Sequence, residues 1–157
     1  MSSRVYSSPI GWLLLSSNAE SLTQVDFIPA PPEVSDDHCP ILDQASAWLD
    51  HYFAGHAVAF DVPLSLDNDT FSERAQHALA LIPAGQTRSY TWLADQAGSP
   101  GAVRAAGTAC ARNPLPIFLP CHRIVRSDGV IGNYRGGTEA KKWLLDHERN
   151  LSDARAV

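Results

Sequence analysis

Residues 113–121, Asn113-Pro114-Leu115-Pro116-Ile117-Phe118-Leu119-Pro120-Cys121, place three prolines in nine positions among apolar side chains. Each proline fixes φ and removes a backbone donor, so no helix runs through this stretch. It reads as an extended segment that presents Cys121-His122-Arg123 at its end. A helical pattern precedes it, and a small hairpin and a glycine loop separate it from the helical pattern that follows.

Upstream, Thr70-Phe71-Ser72-Glu73 is a capping box. Phe71, Ala75, Ala78, Leu79 and Ile82 continue it as an amphipathic helix closed by Pro83. Ser89 is expected to cap a helix over 90–97, ended by Gly98. Ser99 is expected to cap the next, with Pro100 in its first turn, running to about Arg112. Two short helices about a glycine-containing turn match helix-turn-helix spacing, which many helical hairpins share. The second is narrow: Ala102, Ala105, Ala106, Gly107, Ala109 and Ala111 leave Arg104 as its main long side chain before Arg112. Such a helix can approach something bulky or simply pack closely. Downstream, Ile124-Val125, a turn at Ser127-Asp128-Gly129 and Val130-Ile131 suggest a small hairpin. A loop with Gly132, Gly136 and Gly137 follows. Thr138 is expected to cap a last helix through Trp143, Leu144 and Leu145 to Glu148-Arg149.

The first half has a different period. Val5-Tyr6, Trp12-Leu13-Leu14-Leu15 and a run from Leu22 to Phe27 read as strands joined by turns at Ser8-Pro9-Ile10-Gly11 and Asn18-Ala19-Glu20-Ser21. A proline-rich, acidic connection over 29–40 leads to a helix whose face is Ile41, Ala45, Trp48, Leu49 and Tyr52, stopped by Gly55. A short strand is expected over 58–62. These elements predict an α+β chain of two domains, 1–65 and 69–150.

Charge follows the same division. Residues 1–85 hold two Lys/Arg against eleven Asp/Glu, and residues 86–149 hold nine against five. A basic second half fits a polyanionic partner, although charge fluctuates along any chain. No apolar run approaches the roughly 20 residues of a membrane span. The N-terminus lacks the apolar core of a signal peptide, so the expected location is the cytoplasm, or the nucleus in a eukaryote. Three cysteines without a C-x-x-C argue against a disulfide framework and against a zinc site. Cys39, His38, His51 and His56 are taken as surface residues and Cys110 as a packing residue.

The chemistry centres on Cys121. A thiolate is a strong nucleophile, and a neighbouring base or cation increases its population. His122 is adjacent in sequence, so contact with the sulfur needs a tight turn or a bridging water. An acid such as Glu148 could fix the imidazole tautomer.

Pro120-Cys121-His122-Arg123-Ile124, preceded by Asn113-Pro114, resembles the active-site signature of the O6-alkylguanine-DNA alkyltransferase family. Three further blocks agree in order and spacing. They are Ile82-Pro83-Ala84-Gly85-Gln86-Thr87-Arg88-Ser89-Tyr90, Gly132-Asn133-Tyr134-Arg135-Gly136-Gly137 and Lys142-Trp143-Leu144-Leu145-Asp146-His147-Glu148. The resemblance covers about Phe71 to Glu148, and residues 1–65 fit only loosely.

The resemblance implies a ribonuclease-H-like N-terminal sheet with a helix, followed by a mostly helical, winged helix-turn-helix domain. It implies a monomer that takes the alkyl group from O6-alkylguanine in double-stranded DNA onto Cys121, once and irreversibly, without cofactor, metal or membrane. His122 would be the base through a water, oriented by Glu148, with Asn113 bracing the cysteine turn and Tyr90 donating toward the leaving guanine. Arg104 would enter the base stack, and Ser89, Ala105, Thr108, Arg112, Arg123 and Arg135 would lie at the DNA. Tyr134, Pro116, Val125 and Gly132 would form the pocket for a flipped base. These roles suit the chemistry, because a base edited at its edge must leave the stack. Repair of damage anywhere calls for sequence-blind phosphate contacts, for which Arg88, Arg126, Lys141 and Lys142 are further candidates.

One departure is that Ala75 and Gln76 stand where the family has an apolar–aromatic pair, expected to alter packing between the domains. Two other functions are weighed. An alkyltransferase-like protein that binds lesions without repair would lack the acceptor cysteine. A cysteine hydrolase usually has Cys and His far apart in sequence and needs an oxyanion site.

Overall fold

Alternation builds the first sheet. In β2, Gly11–Ser17, the side chains of Leu13, Leu15 and Ser17 are all buried on one face. β1 (Ser2–Ser8) and β3 (Leu22–Ile28) flank it antiparallel in the order β1-β2-β3, with Val5 opposite Leu14 and Leu15 opposite Val25. Gly11, at φ +112°, permits the first turn, and Asn18 Oδ1 accepts from Glu20 and Ser21 N at 2.8 Å to close the second. Helix α1, Pro40–Phe53, covers the sheet with Ile41, Leu42, Ala45, Leu49 and Tyr52. Arg4–Asp43 at 2.8 Å and Tyr6–Asp50 at 2.6 Å tie its outer face to β1.

The computed structural model describes residues 2–32, 39–56, 62–67, 69–128 and 131–151. The strand expected over 58–62 therefore falls almost wholly outside the described residues. Just beyond it Leu64 bridges Leu22 in parallel. Cys39, expected at the surface, is instead buried 3.3 Å from the Ser17 hydroxyl, because it precedes α1 at the sheet face.

The chain divides into two compact units, one within Met1–Ser65 and the other Leu66–Arg149. In the second, the Thr70–Glu73 capping box opens α2, Phe71–Leu79, which ends before Ile82. Ser89 caps α3, Tyr90–Gln96, by accepting from Trp92 N at 3.1 Å. Helix α4, Val103–Ala111, begins later than expected, because Ser99-Pro100-Gly101-Ala102 closes as a turn in which Ala102 N bonds Ser99 O. Ser99 is therefore not its cap. Helices α2, α3 and α4 pack on one another, and α3, turn and α4 form the helix-turn-helix. Gln76 is buried and donates to Ala109 O at 3.0 Å, so it anchors α4 within this unit.

Ile124–Val125 (β5) pairs in parallel with Arg88–Ser89 (β4). The hairpin arm expected at Val130-Ile131 is not seen at Ile131, and Val130 lies outside the described residues. Helix α5, Thr138–Arg149, buries Ala140, Lys141, Leu144 and Glu148. No helix among the described residues is long and apolar enough to cross a membrane.

Candidate active site

The segment before Cys121 is held by a buried asparagine. Asn113 Nδ2 donates to Leu119 O at 2.7 Å, and Oδ1 accepts from Leu115 N at 3.0 Å. Its side chain also works to favour the charged form of Cys121. Pro114, Pro116 and Pro120 carry no N–H that such a buried loop would have to satisfy. Ile117 sits at φ +75°, a conformation a β-branched residue rarely adopts. Strain of this kind costs about 1–3 kcal/mol and persists where the surroundings over-determine it.

A 3₁₀ turn, Cys121–Arg123, then sends neighbouring side chains in different directions. Cys121 lines a cavity of about 660 Å³ whose wall includes Tyr90, Arg104, Gly107, Cys110, Gly132, Tyr134 and Arg135. His122 is wholly buried, its Nε2 2.7 Å from Glu148 Oε2. The same carboxylate accepts from Arg123 Nε and Nη2 at 2.8 Å, and Arg123 Nη1 donates to Ile82 O at 2.6 Å. His122 Nδ1 is buried with no hydrogen-bond partner among the described residues. Burial works to raise the Glu148 carboxyl, but His122 and Arg123 outweigh it and hold the group well below the usual carboxylate range. Burial lowers the His122 pKa against the pull of Glu148, so the imidazole is neutral at pH 7. With Nε2–H donating to the carboxylate, Nδ1 is the basic nitrogen.

Burial pushes the Cys121 thiol up, opposed by the Asn113 hydrogen bond and by the charges of Lys141 and Arg135. Lys141 is fully buried. Its Nζ donates to Ile124 O at 2.6 Å and Asn133 O at 3.3 Å, and burial lowers its pKa. Cys110 shares the cavity wall, but burial and then the Cys121 charge push it up to about 12, so it stays protonated. Burial also raises Tyr90, keeping its hydroxyl a donor. Gly132 is required twice: its φ is +81°, and a Cβ would stand 3.3 Å from the Tyr90 hydroxyl.

The structure therefore brings together Cys121, His122, Glu148, Asn113, Tyr90, Tyr134 and Gly132. Arg104, Ala105, Thr108 and Arg112 are exposed on α4, opposite buried Ala106 and Ala109. Other expectations are corrected. Arg123 is clamped to Glu148 and Ile82 and is not available to DNA. Lys141 is internal and cannot reach a phosphate. Pro116 and Val125 are absent from the cavity wall: Pro116 is buried against Leu119 and Val125 is paired in β5. The Ser89 hydroxyl caps α3 and Arg135 Nη1 donates to Asn113 O at 2.5 Å while Arg135 stays exposed, so neither bond bears against an expected place at the DNA. Cys110, taken as packing, is a cavity residue.

Lys141 was legible on one count: it stands three and seven residues before Leu144 and Glu148, on the buried face of α5. Ile117 gave no signal. Among the described residues no cluster of three or more His, Cys, Asp or Glu could hold a metal ion.

Comparison with known proteins bears on both units. Residues 70–150 match the family model described as 6-O-methylguanine DNA methyltransferase, DNA binding domain, and residues 1–66 match its ribonuclease-like domain. A methylated-DNA–protein-cysteine methyltransferase of Mycobacterium bovis is 39% identical, covering 96% of this chain and 94% of its own. The constitutive enzyme of that name from Bacillus subtilis is 37% identical, covering 90% and 92%. A crystal structure of Mycobacterium tuberculosis OGT in complex with DNA superposes with a TM-score of 0.85 at 37% identity, covering 98% of this chain and 96% of that one.

Proposed function

The chain belongs to the 6-O-methylguanine DNA methyltransferase family, and on that footing we propose that Cys121 is the acceptor onto which it moves the alkyl group. Its activity is methylated-DNA–protein-cysteine methyl transfer, a direct repair, and its partner is DNA. The observation that carries the assignment is a buried thiol in the wall of a cavity beside the helix-turn-helix, followed in the same 3₁₀ turn by a buried histidine that a carboxylate fixes.

The nucleotide turns out of the duplex into the cavity, against Tyr134 and Gly132, while Arg104 on the exposed face of α4 fills the gap in the stack. Small side chains at Ala105 and Thr108 let that helix approach the minor groove. The Cys121 proton passes through a water to His122 Nδ1, and Glu148 supports the charge that forms on the ring. The sulfur attacks in line with the O6–carbon bond. One S–C bond forms as the C–O bond breaks, the electron pair goes to guanine, and the Tyr90 hydroxyl donates toward the leaving base. The thioether is stable, so each molecule acts once.

Acceptor, base and cavity come from one chain, which supports a monomer. The two compact units support a division just after residue 65, with the second unit ending at Arg149, one residue short of the expected 69–150. Three unbridged cysteines support a reducing compartment, the cytoplasm or, in a eukaryote, the nucleus.

The test is an intact mass after incubation with excess duplex DNA containing O6-methylguanine, with Cys121→Ser alongside. One methyl gained per molecule, absent in the variant and with no further turnover, is expected. Lesion-dependent binding without a mass gain would overturn the assignment in favour of recognition alone.

A further inference from the structure

Two of the three unbridged cysteines share one cavity. Val103, Gly107 and Cys110 recur at helical spacing on the side of α4 that faces it, and Cys121 lies in its wall. A chain of hydrogen bonds fastens the two backbones to each other. Asn113 N donates to Cys110 O at 3.3 Å, and Asn113 Nδ2 donates to Leu119 O at 2.7 Å. The same Leu119 carbonyl accepts from Cys121 N at 2.8 Å. The two thiols also act on each other through space. Negative charge on Cys121 raises Cys110, and the Lys141 charge favours the thiolate of both. Alkyl transfer uses Cys121 alone and leaves Cys110 without a task.

A sulfur prepared to attack carbon also attacks peroxide, and hydrogen peroxide is small beside a cavity of about 660 Å³. Oxidation that runs on to sulfinic or sulfonic acid destroys the acceptor before its one reaction. A second thiol in the same cavity stops the sequence at a disulfide. The charge coupling sets the order of events. Burial and then the Cys121 charge hold Cys110 protonated, at about 12. Once Cys121 is a neutral sulfenic acid, the second of these causes is gone, and Lys141 still draws Cys110 toward its thiolate.

We infer that Cys110 is the resolving thiol of Cys121, and that a peroxide converts the pair into an intramolecular disulfide from which the acceptor can be recovered by reduction. The Cys121 sulfur attacks a peroxide oxygen. The S–O bond forms, the O–O bond breaks, and the departing hydroxide is protonated to water. The Cys110 sulfur then attacks the Cys121 sulfur. The S–S bond forms, the S–O bond breaks, and the second oxygen leaves as water with the Cys110 proton. The two sulfurs together give up two electrons, which the peroxide takes. Resting on the alkyl-transfer reading above, the disulfide form accepts no alkyl group until a dithiol restores it.

The experiment treats the native chain, freed of added thiols, with hydrogen peroxide, blocks remaining thiols with N-ethylmaleimide and maps peptides by mass without reduction. The expected product has lost two hydrogens and has the Cys110 and Cys121 peptides linked. Dithiothreitol should undo the link and return methyl transfer from O6-methylguanine. In Cys110→Ser at the same peroxide dose, Cys121 should pass to sulfinic acid, which dithiothreitol does not reduce. The share of that variant's own starting transfer that returns should therefore be lost. Native Cys121 found as sulfinic acid beside a free Cys110, or linked to Cys39 or to a second chain, overturns the inference, as does equal recovery in the two proteins. The linked peptides are read in the native chain, so they decide the matter even if Cys110→Ser does not fold. Absence of methyl transfer before any peroxide would instead be a failure of the underlying reading, and the linked peptides would still decide the pairing.

Discussion

Within residues 1–65 the described core consists of apolar side chains, Cys39 and one buried polar residue, Ser17. Leu66–Arg149 buries Gln76, Asn113, His122, Lys141 and Glu148, and four of these five surround Cys121. The two units are of similar size, so the difference is not one of needing more core. Burying an ion costs several kcal/mol that its partners only roughly repay, and apolar replacements are often at least as stable. The first unit is built as stability alone would build it. The second departs from that rule only where a thiol has to be activated in a place that water does not flood. The strained Ile117 belongs to the same departure.

The largest effect should come from Glu148→Ala. It strands the Arg123 guanidinium and the His122 ring, and breaking a buried pair on one side costs about 3–5 kcal/mol. Urea denaturation should show that loss, and the methyl-transfer rate should drop by about 100-fold or more as the base loses its support. A stability loss below about 1 kcal/mol would mean that the buried charges of the second unit are not a mutually dependent set. The native carboxyl is held well below its unfolded value near pH 4.3. Its contribution is therefore complete above about pH 5 and is lost only as pH falls further, through the folded value.

Leu15→Ala examines the other side of the comparison. Leu15 is fully buried in β2, and truncation should cost about 2–5 kcal/mol. No described residue of 1–65 lines the cavity, so the transfer rate per folded molecule should stay within about twofold of the native rate. A rate loss in step with the stability loss would end the separation of core from chemistry.

The sequence exposed the parts of this design that follow local rules. Strand alternation around Leu13 and Leu15, the Thr70–Glu73 box and the Ser89 cap depend on near neighbours, and they can be read from spacing. Cys121 was conspicuous because three prolines led to it. The start of α4 was misplaced because Ser99-Pro100 serves a turn as well as it serves a helix cap. Arg123 and Lys141 were grouped as phosphate ligands because a cation carries no mark of whether it points outward. That depends on long-range partners such as Ile82 O and Ile124 O, which no local pattern specifies.

Lys141→Met gives the finest test. Methionine is nearly as long and is apolar, so it suits the buried site. The relieved desolvation offsets the hydrogen bonds lost at Ile124 O and Asn133 O, and stability should change by less than about 2 kcal/mol. The thiol should respond more clearly. Burial already raises Cys121, and Lys141 is one of the charges opposing that rise. Removing it should move the pH midpoint of Cys121 carboxamidomethylation by iodoacetamide upward by about one unit, which is about 1.4 kcal/mol. Peptide mapping keeps Cys110 apart, since its value near 12 leaves it protonated throughout. A midpoint that moves while the urea transition holds would place Lys141 with the chemistry. An unmoved midpoint would make it a structural residue like Ser17, and the contrast between the two units would then rest on the His122–Glu148–Arg123 set alone.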